Sequence, residues 1–404
     1  MADDLRKPFD VHLKLDNREY DLPMSNYSFI VQDSIFSLYP KGVISFRDKN
    51  GLFNEYMAFI NGVKLDLIFG TSETTISCPF TIHRNSMPDQ TNSMAIGGNT
   101  ETSLIHHYFS TQTKTSKAFN KEMSQIIDTL SSKYPFTKKN IDSTLNKGIW
   151  YQPNVNDAEF MQNYLLPFAC SSNNAFSKGT PYYNFIDLNN EFHFKTYKSL
   201  FIDEKPIDEL YLNLGAGTRD DFLRGASYMI VPTQTSIHDL KEVLRKRIFK
   251  LNNDGSLYAE DQNITQYYLD PDKTVPIKWD KNLVTAVMDL IPEDMEDPNT
   301  KNNNIGKTIF SMREAFHLDK LIIVCSFNPS YRAGKPISLY VPIISTGTDQ
   351  MDISLRYSGK YLIETSYHKW DGRRMTTTLV VSRQSVKNSP DVVANKQSLR
   401  GLVE

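Results

Sequence analysis

The chain has 404 residues, 40% of them hydrophobic, and its 45 Lys and Arg nearly balance 47 Asp and Glu for a formal charge of -2. That length accommodates two or more domains with their own cores. The charge balance removes the broad positive field of a nucleic-acid-binding protein, so any charge-driven contact has to be local.

Cys78, Cys170 and Cys325 are too few and too far apart for a disulfide framework or a CxxC metal knuckle, and they read as buried reduced thiols. The opening Met1-Ala-Asp-Asp-Leu-Arg-Lys has no secretion-signal core. An apolar run such as Leu321-Ile-Ile-Val-Cys-Ser-Phe falls far short of the roughly 18 residues of a spanning helix. A soluble chain assembled in a cytoplasm is expected.

Residues 8–112 read mainly as strands: Asp10-Val-His-Leu-Lys-Leu, Gly42-Val-Ile-Ser-Phe, Ala58-Phe-Ile, Val63 to Phe69 and Ser103 to Phe109. Asn50-Gly51 and Asn61-Gly62 supply turns that tolerate positive φ. Val63, Leu65 and Leu67 alternate with Lys64 and Asp66, so the sheet covers a core on one side, as in an antiparallel barrel or sandwich.

The period then becomes helical. Phe119, Met123, Ile126, Ile127 and Leu130 share one face of a helix expected over Lys117–Ser132. A second helix starts at a cap on Asn156, buries Phe160, Met161, Tyr164 and Leu165, and stops or kinks at Pro167. Residues 182–197 read as a hairpin turning at Leu188-Asn-Asn-Glu. A third helix is expected from Ser236 through Ile248, and its polar face carries Lys241, Arg245, Lys246, Arg247 and Lys250. That face is a solvated surface, a contact for an acidic partner, or a nucleic-acid contact. Residues 251–308 turn polar and Asn/Asp-rich and read as an inserted loop region. A short helix near Met312–Leu318 leads into strands at 321–327, 336–343 and 360–382, the last a hairpin turning at Asp371-Gly372. In it Tyr361, Ile363, Thr365 and Tyr367 alternate with Leu362, Glu364, Ser366 and His368.

Catalytic and cofactor motifs are missing. Ile305-Gly306-Lys307-Thr308 ends like a phosphate-binding loop, but Lys301 stands where its first glycine belongs. Gly215-Ala-Gly217 lacks a dinucleotide-binding context. His106-His107 point to opposite faces of a strand, and Asp220-Asp221 are adjacent rather than facing. With no HExxH and no GxSxG, neither metal, cofactor nor enzymatic activity is expected.

Ser358-Gly-Lys-Tyr-Leu-Ile-Glu-Thr-Ser-Tyr-His-Lys-Trp-Asp-Gly-Arg-Arg-Met-Thr-Thr-Thr-Leu379 resembles the closing hairpin of baseplate hub proteins from contractile-tailed phages and related injection systems. Phe327-Asn-Pro-Ser-Tyr-Arg-Ala-Gly334-Lys-Pro-Ile-Ser-Leu-Tyr is similar to their loop leading into a barrel strand, and 156–168 with 185–194 to their middle-domain helix and hairpin.

The resemblance implies a mainly β chain with α+β parts. Two tube-like antiparallel β-barrel domains (8–112, and 201–235 with 321–385) are accompanied by a mixed middle domain (113–200), an inserted peripheral domain (236–320) and a tail (386–404). It also implies a homotrimeric ring of pseudo-sixfold outline in the virion tail baseplate, assembled in the bacterial cytoplasm. That ring adapts the sixfold tail tube to the threefold spike and forms the channel for genome ejection. The implied partners are itself, the central spike, tail tube, tape-measure and inner baseplate proteins, with DNA as passing cargo. Gly334, Tyr361, Ile363, Tyr367, Asp371, Gly372, Met375 and Leu379 are the candidate structural and interface residues, and Lys241, Arg245, Lys246 and Arg247 the candidate basic contact. A type VI secretion hub and a carbohydrate-binding or hydrolytic tail protein are the alternatives.

Overall fold

The computed structural model describes residues 10–15, 18–20, 27–47, 62–70, 74–86, 99–110, 112–171, 180–212, 227–231, 245–251, 256–263, 285–287, 303, 306–307, 309–310, 313–317, 319–344, 351–354 and 357–383. The fold is mainly β. The first region contributes β1 (Asp10–Leu15), β2 (Arg18–Tyr20), β3 (Tyr27–Ser34), β4 (Lys41–Arg47), β5 (Lys64–Gly70), β6 (Thr75–Ser86) and β7 (Asn99–His106). Alternation decides the buried side: Leu65, Leu67 and Phe69 of β5 and Phe29 and Val31 of β3 lie in one core with Phe80 and Ile82 of β6. Each such side chain contributes about 1.5–3 kcal/mol by leaving water. Gly62 takes φ 95 at the turn into β5, as the Asn-Gly pair predicts. Ala58–Ile60 and Asn50-Gly51 fall outside the described residues.

The middle region holds β8 (Thr115–Glu122), β9 (Lys138–Ile141), β10 (Lys147–Val155), β11 (Tyr182–Ile186) and β12 (Glu191–Thr196). The helix expected from Lys117 begins only at Met123, and α1 (Met123–Ser131) buries Met123, Ile126, Ile127 and Leu130. The stretch before it is β8, because Gly148-Ile-Trp-Tyr of β10 offers a β-favouring partner with Trp150 opposite Phe119. Asn156 caps the next helical segment through Oδ1, which accepts from the Glu159 amide at 2.7 Å. That segment widens to a π turn over Phe160–Leu165 and tightens to a 3-10 turn at Pro167. Phe160, Met161 and Leu165 are buried and Tyr164 is exposed. The β11–β12 hairpin turns at the expected place.

The remaining strands are β13 (Glu209–Tyr211), β14 (Ser227–Val231), β15 (Arg245–Leu251), β16 (Leu257–Asn263), β17 (Thr285–Val287), β18 (Asp319–Ser326), β19 (Pro336–Tyr340), β20 (Pro342–Ile344), β21 (Met351–Ile353), β22 (Gly359–Trp370) and β23 (Met375–Arg383). The helix expected from Ser236 through Ile248 is overturned from Arg245 onward, since Arg245–Leu251 pairs with β16 and β17 as the middle strand of a small sheet, and the residues before Arg245 lie outside the described ones. Cross-strand pairing outweighs the helical period there. The polar loop reading of 251–308 likewise gives way where β16 and β17 lie.

Two separate closed barrels do not form among the described residues. One 13-stranded sheet carries both β-rich regions, in the order β14-β18-β23-β22-β3-β4-β7-β6-β5-β1-β2, with β19 on β22 and β13 on β19. Within it the same arrangement occurs twice: β1-β5-β6-β7-β4-β3 and β13-β19-β22-β23-β18-β14. Numbered by position along the chain within each half, both read 1-4-5-6-3-2.

The likeness extends to single residues. Register carries Ile82 across to Leu104, Gly42 and Val31 in the first half. It carries Ile363 across to Val381, Leu321 and Ile230 in the second. Leu65 and Ile337, Leu67 and Leu339, Phe80 and Tyr361, and Ile44 and Ile323 are matched pairs, all buried. Gly62 and Gly334 both adopt positive φ, and each donates its amide to the matched isoleucine, Ile82 or Ile363, at 2.8 Å. One pair differs: β1 runs antiparallel to β5, whereas β13 runs parallel to β19.

Candidate functional site

The halves meet along β22. Its first residues pair with β19 as far as Leu362, and from Thr365 onward the same edge pairs with β3, with Tyr367 opposite Gln32. The strand outruns β19 and offers its remaining edge to β3. Between the two partners lies Glu364, the extra residue of a bulge against β23.

The bulge resets which side chains face the core. Tyr361 and Ile363 lie in the second-half core with Ile337, Leu339 and Leu379. Beyond the bulge Ser366, His368 and Trp370 turn inward, while Tyr367 is half-buried and Lys369 exposed. The expected single face of Tyr361, Ile363 and Tyr367 is therefore split. β23 has the regular period, so Met375 and Leu379 stay on the buried side, Met375 in the first-half core opposite Trp370.

A buried carboxylate seals the junction. Asp33 of β3 accepts Ser366 Oγ of β22 at 2.6 Å and the Ala333 amide at 3.2 Å on Oδ1, and the Leu188 amide at 3.2 Å on Oδ2. One residue thus ties the first half, the second half and the middle hairpin. Burial, opposed by Ser366 and abetted by the nearby Asp187, pushes its pKa up to about 6.

Asp187 organises the hairpin turn. Its Oδ1 accepts the amides of Asn189 and Glu191, both at 3.0 Å, while Asn190 takes φ 59. Its Oδ2 lies 3.2 Å from His193 Nε2 and 2.9 Å from Arg332 Nη1. Burial would raise this carboxyl, yet His193 and Arg332 together hold it below the ordinary carboxylate range.

Asp187, Glu191 and His193 cluster closely enough to grip a metal ion. Arg332, which also stands 3.8 Å from Glu191 Oε1, supplies the positive charge covalently, and the donor set works as an internal salt bridge.

Glu364 is held below its usual range despite burial by His317, whose Nδ1 is 2.8 Å from Oε1, and by Lys320, whose Nζ is 3.1 Å from Oε2. Burial pushes His368 down to about 3 and His106 down to about 4, so both are neutral at physiological pH. His368 Nδ1 lies 3.0 Å from Thr377 Oγ1, and His106 Nε2 3.0 Å from Asn190 Oδ1.

Of the other sequence candidates, Gly334 has φ 79 and a Cβ on it would stand 2.5 Å from Phe185 Cζ. The Tyr361 hydroxyl donates to the Tyr357 carbonyl at 2.8 Å beneath the Arg383 guanidinium. Asp371 accepts the amides of Arg373 and Arg374 at 2.9 and 2.8 Å, and Gly372 has φ 87. The basic helix face does not exist as read: Arg245, Lys246 and Arg247 follow one another on β15, where successive residues alternate sides, and Lys241 lies outside the described residues.

Asp33, Asp187, Arg332, Glu364 and Ser366 were not singled out from sequence. The signal for Asp33 was present, since it continues the buried alternation of Tyr27, Phe29 and Val31.

No family model matches the sequence, and no curated protein matches it. Among solved structures, the chain is similar to the 43 kDa tail protein of prophage MuSo2 from Shewanella oneidensis, at 10% identity and TM-score 0.54, over 94% of this chain and 99% of that one. A tail protein from Neisseria meningitidis MC58 follows at 8% identity and TM-score 0.53, over 94% and 98%. A chain of the half-lidded Francisella PdpA-VgrG complex matches at 10% identity and TM-score 0.50, over 95% of this chain and 59% of that one. At these identities the likeness is one of fold.

Proposed function

From the fold shared with phage tail proteins, we propose that this chain is a structural baseplate hub whose work is assembly rather than catalysis. Three copies form a ring in the virion tail. Each contributes two matched β bodies, so six similar bodies surround a channel that fits a sixfold tube on one side and a threefold spike on the other. The ring is assembled in the host cytoplasm, binds spike, tube, tape-measure and inner baseplate proteins, and lets DNA pass.

The observation that carries this reading is the repeated strand order, with its register and its paired Gly62 and Gly334 turns. Two equivalent bodies per subunit are what a threefold assembly needs to present a sixfold face. The sheet side away from the cores mixes Gln32, Lys41, Ser103, Thr376 and Thr378 with exposed Ile30, Val43, Met229 and Val324. Buried, neutral His106 and His368 are in keeping with a structural role.

Native mass spectrometry and negative-stain imaging of the full chain at micromolar concentration test the proposal. A trimer with a six-lobed ring outline is expected, and a monomer that persists when the spike protein is added overturns it.

A further inference from the structure

The two most exposed large apolar side chains among the described residues are neighbours on one strand. Tyr151 is 67% exposed and Ile149 61%, two places apart on β10 and therefore on one face of it. Across the ladder that face continues into Ala118 and Asn120 of β8, both exposed. The opposite face anchors the ribbon, with Phe119 stacked on Phe160 at 5.8 Å and Trp150 against Phe168 at 5.9 Å. That anchoring leaves Ile149 and Tyr151 outside every core among the described residues. The rim of the ribbon is basic. Lys114, Lys117 and Lys121 are exposed and make no ion pair among the described residues, unlike Lys133 and Lys139, which hold Asp157 and Asp128.

A second exposed apolar cluster carries the opposite charge. Ile202, at the end of the π turn Lys198–Ile202, is 57% exposed, and Tyr211 of β13 51%. Ile207, Glu209 and Tyr211 are exposed at alternate positions while Leu210 is buried, so they share the outward side, where Tyr211 stacks on Tyr340 of β19 at 4.5 Å. Lys360 joins the two parts. It stands in register with Ser338 and Glu209 across the sheet, and its Nζ donates to the carbonyls of Ile202 at 3.5 Å and Glu204 at 2.5 Å. Lys360 is thus spent on backbone, and Lys335 stands 3.9 Å from Glu204. Asp203 and Glu209, both exposed, make no ion pair among the described residues, beside Lys205 as the exposed cation of the strip.

We propose that the β8–β10 ribbon of one copy docks on the 202–211 strip of a second copy, with Ile149 and Tyr151 against Ile202, Ile207 and Tyr211, and with Lys117 and Lys121 beside Asp203 and Glu209. The occupant is a second copy because the two surfaces complement each other in charge and together hold four of the five most exposed large apolar side chains among the described residues, Met229 being the fifth. Apolar anchors inside a charged rim are the anatomy of a specific contact. Two different patches meeting head to tail propagate around a ring, whereas one patch meeting itself stops at a dimer. This contact rests on the trimeric reading above and adds the surface that closes it.

Sedimentation of the full chain at micromolar concentration reads the contact, with thermal unfolding of each variant as the control for folding. Ile149→Ser with Tyr151→Ser should leave the thermal midpoint in place, since both side chains are exposed, and raise the concentration for half assembly of the trimer at least about tenfold. Lys117→Glu with Lys121→Glu should weaken the trimer too, and so should Asp203→Lys with Glu209→Lys, because like charges then face each other. All four charge changes in one chain should restore it.

A wild-type trimer that none of these pairs weakens would overturn this contact and leave the ring standing. So would a trimer that both charge pairs weaken and the fourfold variant fails to restore. A wild-type chain that stays monomeric with the spike protein present would overturn the ring reading, and this contact with it.

Discussion

Asp33 offers a sharp test of how the halves are joined. Asp33→Asn keeps the shape but removes the charge, and places an amide N–H₂ among groups that donate: Ser366 Oγ and the amides of Ala333 and Leu188. At least one buried donor loses its acceptor, at a cost of about 1–3 kcal/mol.

The pH dependence separates this from a generic core defect. The folded pKa of Asp33 is about 6, above the ordinary aspartate value of 3.8. Because the folded value is the higher one, the group's contribution to stability is fully present below the unfolded pKa and lost as pH rises through the folded pKa. A shift of about two units corresponds to roughly 3 kcal/mol at neutral pH. The asparagine cannot ionise and escapes that loss. The cost of Asp33→Asn should therefore be largest near pH 4 and shrink by up to about 3 kcal/mol by pH 7. Urea unfolding of both proteins across this range gives the difference directly. A cost that stays constant, or grows toward pH 7, would refute the reading of Asp33 as a carboxyl whose ionisation strains the junction.

Glu364 should behave oppositely. Its folded pKa is depressed, so its contribution is present above the unfolded value and lost as pH falls through the folded one; Glu364→Gln should cost more at pH 7 than at pH 4 in the same assay. Among the glycines, Gly372→Val forces a side chain into φ 87 and should cost about 1–2 kcal/mol. Gly334→Ala adds a collision with Phe185 to its positive φ, so its thermal midpoint should fall further than that of Gly372→Ala. Leu67→Ala and Leu339→Ala empty matched places in the two halves, and each should lose about 2–5 kcal/mol in urea unfolding. A negligible loss at one of them would contradict the equivalence of the cores.

Much of the β framework was legible from alternation alone. Leu65 and Leu67 against Lys64 and Asp66 set β5 and its buried side, and Asp371-Gly372 set the last turn, because period and turn chemistry act over a few residues. The Asn156 cap and the 188–191 turn were readable for the same reason.

Two local readings failed where a distant partner decided. Residues 117–122 and 245–250 carry enough helical spacing to suggest helices, yet β10 in one case and β16 with β17 in the other recruit them as strands. The single bulge at Glu364 was invisible to a strict two-residue period, and it divides Tyr361 and Ile363 from Tyr367. The sealing cluster is more dispersed still: Asp33, Asp187, Arg332 and Ser366 lie far apart along the chain and carry no shared motif. At matched places of the repeated body the two halves hold different residues, such as Leu65 and Ile337 or Phe80 and Tyr361.

What the amino-acid order determined by itself is therefore which stretches alternate, where the chain turns, and which of their faces avoid water, since these depend on near neighbours. Tertiary structure alone decided that the two halves share one strand order and one sheet, because pairing partners and buried charges are chosen by groups that meet only after folding.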